Sequence, residues 1–477
     1  MYELDFNAFD PDIQYRCDFI RGKSISKMED LLPIYTSILS DICPIAVDQF
    51  NEVFDNRLAH ILHYDPTDES QMKVVRNHRS ENVIKILGLV YRYQGVTYLS
   101  ERTKKYLNDN DQPALFKSVC FQFQQPNGAQ KGKTYKEKVN KKISIRPFHF
   151  IIKLLKIAYN NDIRITKDEL YYYVLNCLQT LQGLVSPEIV FERILSDRQN
   201  GIVKQVHLEK NSAWTFQHMR EQLDYLELAN LIRIDRDTIY LNMRELETIN
   251  IFIDELDQPL RFPCIYDFDR PNVYQTIEND WLLYMGQSSR IKLNSFNTTP
   301  TSFDIPAEEL DLYGGGESTV ELGDRGENFV MNYEKRIVGS FNRRLINKVI
   351  YLGKTHGLGY DITSIEANRA DNSDEKEMTR FIEVKTTARV HPPSPEFQDT
   401  INLTRNEWVA AGQQKEHFYL YRLFFTNSGT YLCIIKNPYK KNEDGLIYVT
   451  PTQYRLEYSN TALDVYERIA EDEKHNN

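Results

Sequence analysis

Apolar residues recur at helical spacing through SKMEDLLPIYTSILSDI and VDQFNEVFDNRLAHILHY, so residues 26–64 read as two amphipathic helices. The next stretch, ENVIKILGLVYRYQGVTYLSERTKKYL, changes period. A helix ends near Leu87-Gly88, and two β-branched and aromatic runs, LVYRY and VTYLS, turn back near Gln94-Gly95. Ser100 then stands at the N-cap of another helix.

The same alternation returns between residues 146 and 250. PFHFIIKLLKIAYNN is an amphipathic helix with Pro147 in its first turn. Thr166 and Glu169 have capping-box spacing, and another helix starts at Ser186-Pro187. SAWTFQHMREQLDYLELANLI is helical and runs into LIRIDRDTIYL, a hairpin pattern around Asp235-Arg236-Asp237. Helix, two-stranded wing and helix together resemble the winged-helix DNA-binding fold, and the chain carries two such units.

Between them, residues 131–146 hold Lys131, Lys133, Lys136, Lys138, Lys141, Lys142 and Arg146 against one acid, Glu137. Such a run reads either as a solvated linker or as a basic arm tracking DNA phosphates. From 287 the composition shifts to Ser, Thr, Asn and Gly, with Gly314-Gly315-Gly316, as in an inter-domain linker. The expected division is therefore a recognition domain over 1–125, a basic linker over 126–146, a second recognition domain over 147–286, a linker over 287–322 and a last domain over 323–477.

The last domain reads as α/β. RGENFVMNYEKRIVGSF is helical and places Glu327 in its first turn; INKVIYLGK, GYDITSIE and TRFIEVKTT are strands. LTRNEWVAAGQQ is a helix with Thr404 and Glu407 as a capping box, followed by strands HFYLYRLFF and TYLCIIKN. Side chains on a strand alternate, so Glu383 and Lys385 share a face about 6.7 Å apart. A hairpin of 359–366 with 380–387 brings Asp361 towards Glu383. Two converging carboxylates repel unless a cation lies between them, and Mg²⁺ suits such oxygen ligands. A metal there polarises a phosphate oxygen and lowers the pKa of bound water, while Lys385 orients or helps deprotonate that water. Glu366 reads as solvent-facing, His356 as a loop residue before the Asp361 strand, and His391 as part of a proline-rich loop over the site.

These residues carry a resemblance. YDITSIE followed by FIEVKTT is similar to the D…E-x-K signature of the PD-(D/E)xK nuclease superfamily, with Tyr360 where the motif's name has proline. The run GENFV…GLGYDITS…RFIEVKTT…LTRNEWVAA…YLYRLF resembles a nuclease-like module at the C-termini of large DNA-handling proteins and defence nucleases. The resemblance implies catalytic roles for Glu327, Asp361, Glu383 and Lys385. It also implies metal held by Asp361, Glu383 and the Val384 carbonyl, and hydrolysis leaving 5′-phosphates. The N-terminal half resembles, in its arrangement, the recognition half of type II restriction endonucleases.

The fold class expected is thus multidomain: a mainly α winged-helix half, then an α/β PD-(D/E)xK domain with a mixed central sheet. The function expected is Mg²⁺-dependent, with Mn²⁺ as substitute, sequence-specific cleavage of double-stranded DNA. Homodimerisation or transient pairing on DNA and a cognate methyltransferase go with it. Alternatives are a modification-dependent or anti-phage nuclease, or a DNA-binding protein with an inactive nuclease fold. Candidate DNA contacts, besides the lysines of 131–142, are Arg92, Arg102, Lys104, Lys105, Arg233 and Arg236.

Bulk properties agree. The 477 residues are 41% hydrophobic, enough for several cores. A net charge of -10 excludes a uniformly basic coat but not a local basic surface. The six scattered cysteines lack metal-ligand spacing, and the N-terminus is acidic, as expected of a prokaryotic cytoplasmic protein.

Overall fold

The computed structural model describes residues 15, 25–204, 206, 213–286, 293–296, 319–353, 358–366, 378–394, 397–450 and 455–468. The insert at 367–377, His356 and the tail from 469 lie outside them. Among the described residues no helix is long and apolar enough to cross a membrane.

The N-terminal half is helical and repeats one plan. In the first unit the helix Ile25–Ile42 precedes β1 (Ile45–Ala46); helices Val47–Ile61 and Glu69–Asn77 follow, and then the hairpin β2 (Val90–Tyr93) and β3 (Val96–Leu99). β1 pairs with β3, giving the order β1-β3-β2. The hairpin turn has φ of 48° at Gln94 and 78° at Gly95, the positive pair that a tight two-residue turn requires. Ser100 caps the helix Glu101–Asp109, accepting from the Thr103 N–H. In the second unit the helix Pro147–Asn160 leads to β4 (Ile165–Thr166). Helices Pro187–Gln199 and Ala213–Leu228 precede the hairpin β5 (Ile232–Asp235) and β6 (Thr238–Leu241), in the order β4-β6-β5.

These two units share one apolar core running from Tyr15 to Phe296. At its centre the helix Gln112–Gln122 is buried on every residue. A helix buried all round cannot be amphipathic, and its Lys117 is satisfied by Glu245 at 2.7 Å. The stretch 126–146 belongs to this body: it carries a helix, Gly132–Asn140, and an isolated bridge joins Gln125 to Ile145. In the stretch read as the second linker, Leu293–Phe296 forms a short turn, and Phe296 is buried against Phe121 and Phe252.

The C-terminal region is a mixed sheet of six strands in the order β15-β12-β11-β9-β8-β7. The strands are β7 (Ile350–Tyr351), β8 (Ile362–Ile365), β9 (Thr379–Ala388), β11 (Phe418–Thr426), β12 (Gly429–Lys436) and β15 (Val465–Arg468). β9 and β11 are parallel, and the other neighbours are antiparallel. The helix Thr319–Phe341 covers one face through Val330 and Val338, against Ile362, Ile382, Val384 and Tyr421. The opposite face packs Phe381 and Phe418 against Ala410 and Ala411 of the helix Arg405–Gln414. It also packs Leu420, Phe424 and Ile435 against a small sheet of β10 (Gln398–Asn402), β14 (Arg455–Ser459) and β13 (Ile447–Thr450).

Three local expectations change here. The long helix begins at Thr319, so Glu327 lies beyond its first turn. INKVIYLGK contributes a 3₁₀ turn and only two strand residues, Ile350–Tyr351. The small sheet was not anticipated: its β13–β14 pair is a local hairpin, but β10 joins β14 over more than fifty residues of sequence.

Candidate active site

β8 and β9 form the expected hairpin, with Ile362 opposite Ile382. Asp361 sits one residue before β8, its backbone N–H donating to the Ile382 carbonyl at 2.9 Å. That register aims its carboxylate across the hairpin, where Oδ2 accepts the Val384 N–H at 2.8 Å. The Asp361 carboxylate is near enough to Glu383 for its charge to raise the Glu383 pKa. Asp361, Glu383 and Lys385 therefore do come together.

Alternation along β9 turns Glu383 and Lys385 to the face covered by the helix Arg405–Gln414. There the Lys385 ammonium lies 2.7 Å from Glu383 Oε1 and 3.0 Å from Glu407 Oε2. Glu407 is the group that reading the sequence missed. Its capping-box spacing with Thr404 was visible and accounted for it locally.

Glu327 enters from the long helix. Gly326, just before it, lets that helix approach β9: a Cβ there would lie 1.8 Å from Thr386 Oγ1. Glu327 Oε2 accepts from the Tyr351 hydroxyl at 2.5 Å. Tyr351 is a second missed group, delivered by β7 at the sheet edge. Its one signal was strand alternation in VIYL.

The electrostatics are those of crowded, buried acids. Glu383 is 3% exposed. Burial, then the neighbouring Asp361 and Glu407, push its pKa well above the usual carboxylate range, against the opposing pull of Lys385. Burial likewise raises Asp361, opposed by the Val384 N–H and Lys385. Glu327 is raised to about 7, by burial first, with the Tyr351 hydrogen bond opposing. For Lys385, burial is outweighed by Glu383 and Glu407, so the ammonium is held more firmly than an ordinary lysine's. This arrangement suits orientation and charge stabilisation rather than proton abstraction by the lysine.

Does the donor set fit a cation? Among the described residues no three Asp, Glu, His or Cys side chains converge closely enough to hold a metal ion by themselves. Asp361 and Glu383 supply two adjoining carboxyls whose ionised forms lack sufficient compensation from the single ammonium. An all-oxygen pair of carboxyls fits Mg²⁺, a hard cation that takes oxygen ligands.

Two further expectations are corrected. Glu366 is not a free solvent-facing acid: Arg380 donates to both its oxygens, at 2.9 and 2.7 Å, and Tyr419 donates at 2.7 Å. His391 does not lie over the site: its Nδ1 faces Glu29 Oε2 at 3.2 Å, on the first helix of the N-terminal half. Glu29 also accepts the Val390 N–H at 2.7 Å, and its neighbour Asp30 pairs with Arg389 at 2.9 Å.

The candidate DNA contacts divide. Lys131, Lys133, Lys142, Arg233 and Arg236 are exposed. Lys136 and Lys141 lie over the rings of Phe268 and Tyr15. Lys104 pairs with Glu101 at 2.7 Å and Lys105 with Asp109. Arg92 is half-buried, with Nε unpartnered. Three basic residues cannot reach a phosphate as placed. Arg102 is 1% exposed, donating to the Leu87 carbonyl and Gln122; Lys138 is buried on Gln125; Arg146 is buried among the carbonyls of Glu255, Gln258 and Pro259. Their charges serve as internal hydrogen-bond donors that satisfy buried oxygens.

With this geometry in place, comparisons with known proteins are informative. A family model described as the N-terminal domain of restriction endonuclease BpuJI matches residues 9–281. One described as the C-terminal region of protein NO VEIN matches residues 326–435. The first ends before the long helix, and the second spans Glu327, Asp361, Glu383, Lys385 and Glu407. Among solved structures, the BpuJ1 endonuclease binding domain, in complex with pyrene- and phenanthrene-modified DNA, is 43% identical. The match covers 59% of this chain and 100% of that chain, with a TM-score of 0.55. No curated protein matches.

Proposed function

This chain belongs to the family of the restriction endonuclease BpuJI N-terminal domain, and from that premise we propose that it is a metal-dependent, sequence-specific double-strand DNA endonuclease of the type II restriction class. The N-terminal half would read DNA through its two hairpin-bearing units, understood as winged helices, and the sheet domain, understood as a PD-(D/E)xK nuclease, would cut it. The observation that carries this reading is the convergence of Asp361, Glu383 and Lys385 on one hairpin, in a chain whose other half has a DNA-bound structural relative.

Asp361, Glu383 and the Val384 carbonyl would hold Mg²⁺, with water completing its shell. When bound, the ion supplies Lewis-acid polarisation of a phosphate oxygen and a more acidic water. Lys385, kept charged, orients the attacking water and opposes charge building on the phosphoryl group. Glu327, with a pKa near neutrality, is suited to hold a water at the edge of the site. Cutting both strands needs two such sites, hence pairing of two copies on DNA. The expected products are 5′-phosphate ends, and a methyltransferase would protect the host's own sites.

The test is incubation of the purified protein with plasmid and phage DNA, methylated and unmethylated, in Mg²⁺ or Mn²⁺. Discrete fragments that disappear with EDTA, Glu383→Ala or Lys385→Ala are expected. Salt-sensitive DNA binding with no cleavage under any metal would instead identify a binding protein with an inactive nuclease fold.

A further inference from the structure

We propose that Glu407 is a positioning residue of this site, acting through Lys385; the proposal rests on the nuclease reading above. Lys385 is held between two carboxylates, Glu383 at 2.7 Å and Glu407 at 3.0 Å. They differ in what else they do. Glu383 faces Asp361 and has a cation to hold. Glu407 has no cation to hold, so it remains as an anchor when the Glu383 oxygens are engaged.

Glu407 is itself fixed before it meets the lysine. Its Oε2 accepts the Thr404 N–H at 2.9 Å, and its own N–H donates to Thr404 Oγ1 at 3.3 Å, the reciprocal capping box that opens the helix Arg405–Gln414. A lysine stem has four rotatable carbons, and holding its ammonium in one place costs rotamer entropy unless a rigid partner receives it. The positive end of a helix also repels an ammonium, and the Glu407 carboxylate offsets that repulsion in the first turn. The helix start lies close against the loop before Asp361: Gly359 has φ of 77°, and a Cβ there would lie 2.5 Å from the Asn406 carbonyl oxygen. Asp361, Lys385 and Glu407 are thus referenced to one another by backbone, and the capping box does more than start a helix.

Glu407→Gln separates the two roles. Glutamine keeps an oxygen for the Thr404 N–H, so the cap persists, but it removes the charge facing Lys385. With full-length protein and a cleavable plasmid, the expected result is an unchanged melting temperature and unchanged half-saturating DNA concentration. The single-turnover cleavage rate falls by about 10-fold or more, the scale of losing orientation at a reacting centre. In a Lys385→Gln background the same change adds little further loss, because the two residues act in series. A Glu407→Gln protein that cuts at the wild-type rate, or losses that simply multiply in the double variant, would overturn the role of Glu407. If Lys385→Gln alone abolishes cutting in that experiment, the nuclease reading survives. Wild-type protein inert towards every DNA tested would overturn that reading and this role together.

Discussion

The Asp361 carboxylate accepts the backbone N–H of Val384 at 2.8 Å, tying the acid of one strand to the residue between Glu383 and Lys385 on the next. The bond fixes register and orients the acid at once. Asp361→Asn keeps an oxygen acceptor and removes a charge that burial disfavours. We expect its thermal stability to equal or exceed wild type, with plasmid cleavage down about 100-fold or more, the trade-off common at sites that hold repelling charges. Asp361→Ala orphans the Val384 N–H and should lose about 1–3 kcal/mol in chemical denaturation. An Asn variant that still cuts normally would remove Asp361 from the site.

Glu366 gives a pH signature through partners, Arg380 and Tyr419, that are not part of the candidate site. Burial pushes its pKa up, but the two-pronged bond from Arg380 outweighs this and brings it to about 2. Its folded value lies below its unfolded one, so its contribution is present above about pH 4.5 and fades as pH falls through 2. That contribution is on the order of 3 kcal/mol by proton linkage. Glu366→Gln should therefore be less stable than wild type at pH 7, and the gap should narrow steadily in urea denaturation towards pH 3. A gap independent of pH would mean that the pair contributes packing rather than charge.

The exposed members of the basic set allow a salt test. Lys131, Lys133 and Lys142 project from the body, while Lys138 is buried on Gln125. If the exposed three meet phosphates, their combined alanine variant lowers the slope of log affinity against log salt by about 1 per lost contact. Fluorescence anisotropy with a duplex in the absence of metal reads this directly. An unchanged slope would move the phosphate track elsewhere, with Arg233 and Arg236 next to examine.

Local sequence made much of this fold legible. The hairpins at Gln94-Gly95 and Arg236-Asp237 and the β8–β9 pair follow from period-two alternation bounded by turn residues. The capping boxes at Thr166 and Thr404 needed only a three-residue spacing. What stayed hidden depended on direction or distance. A lysine's charge does not say which way it points, so Lys138 and Arg146 looked like Lys131 until the core around them was known. Glu407 reaches Lys385 across 22 residues of sequence, and β10 meets β14 across more than fifty; no local pattern reports such pairings. Glu366 looked solvated because Arg380, its partner, comes from the next strand.

β9 does not stop at the candidate site. Past Lys385 it meets the N-terminal half, where Thr387 donates to the Asn110 carbonyl and Ala388 bridges Asp111. Arg389 then lies between Glu29 and Asp30, at 3.7 and 2.9 Å, and is only 4% exposed. Buried charges of this kind are strongly destabilising when one partner is removed. The two halves are therefore poor interchangeable cassettes. A chimera that grafts this N-terminal half onto a foreign cutting domain would leave the Glu29 and Asp30 carboxylates without the cation they face, unless Arg389 or an equivalent cation travels with the graft.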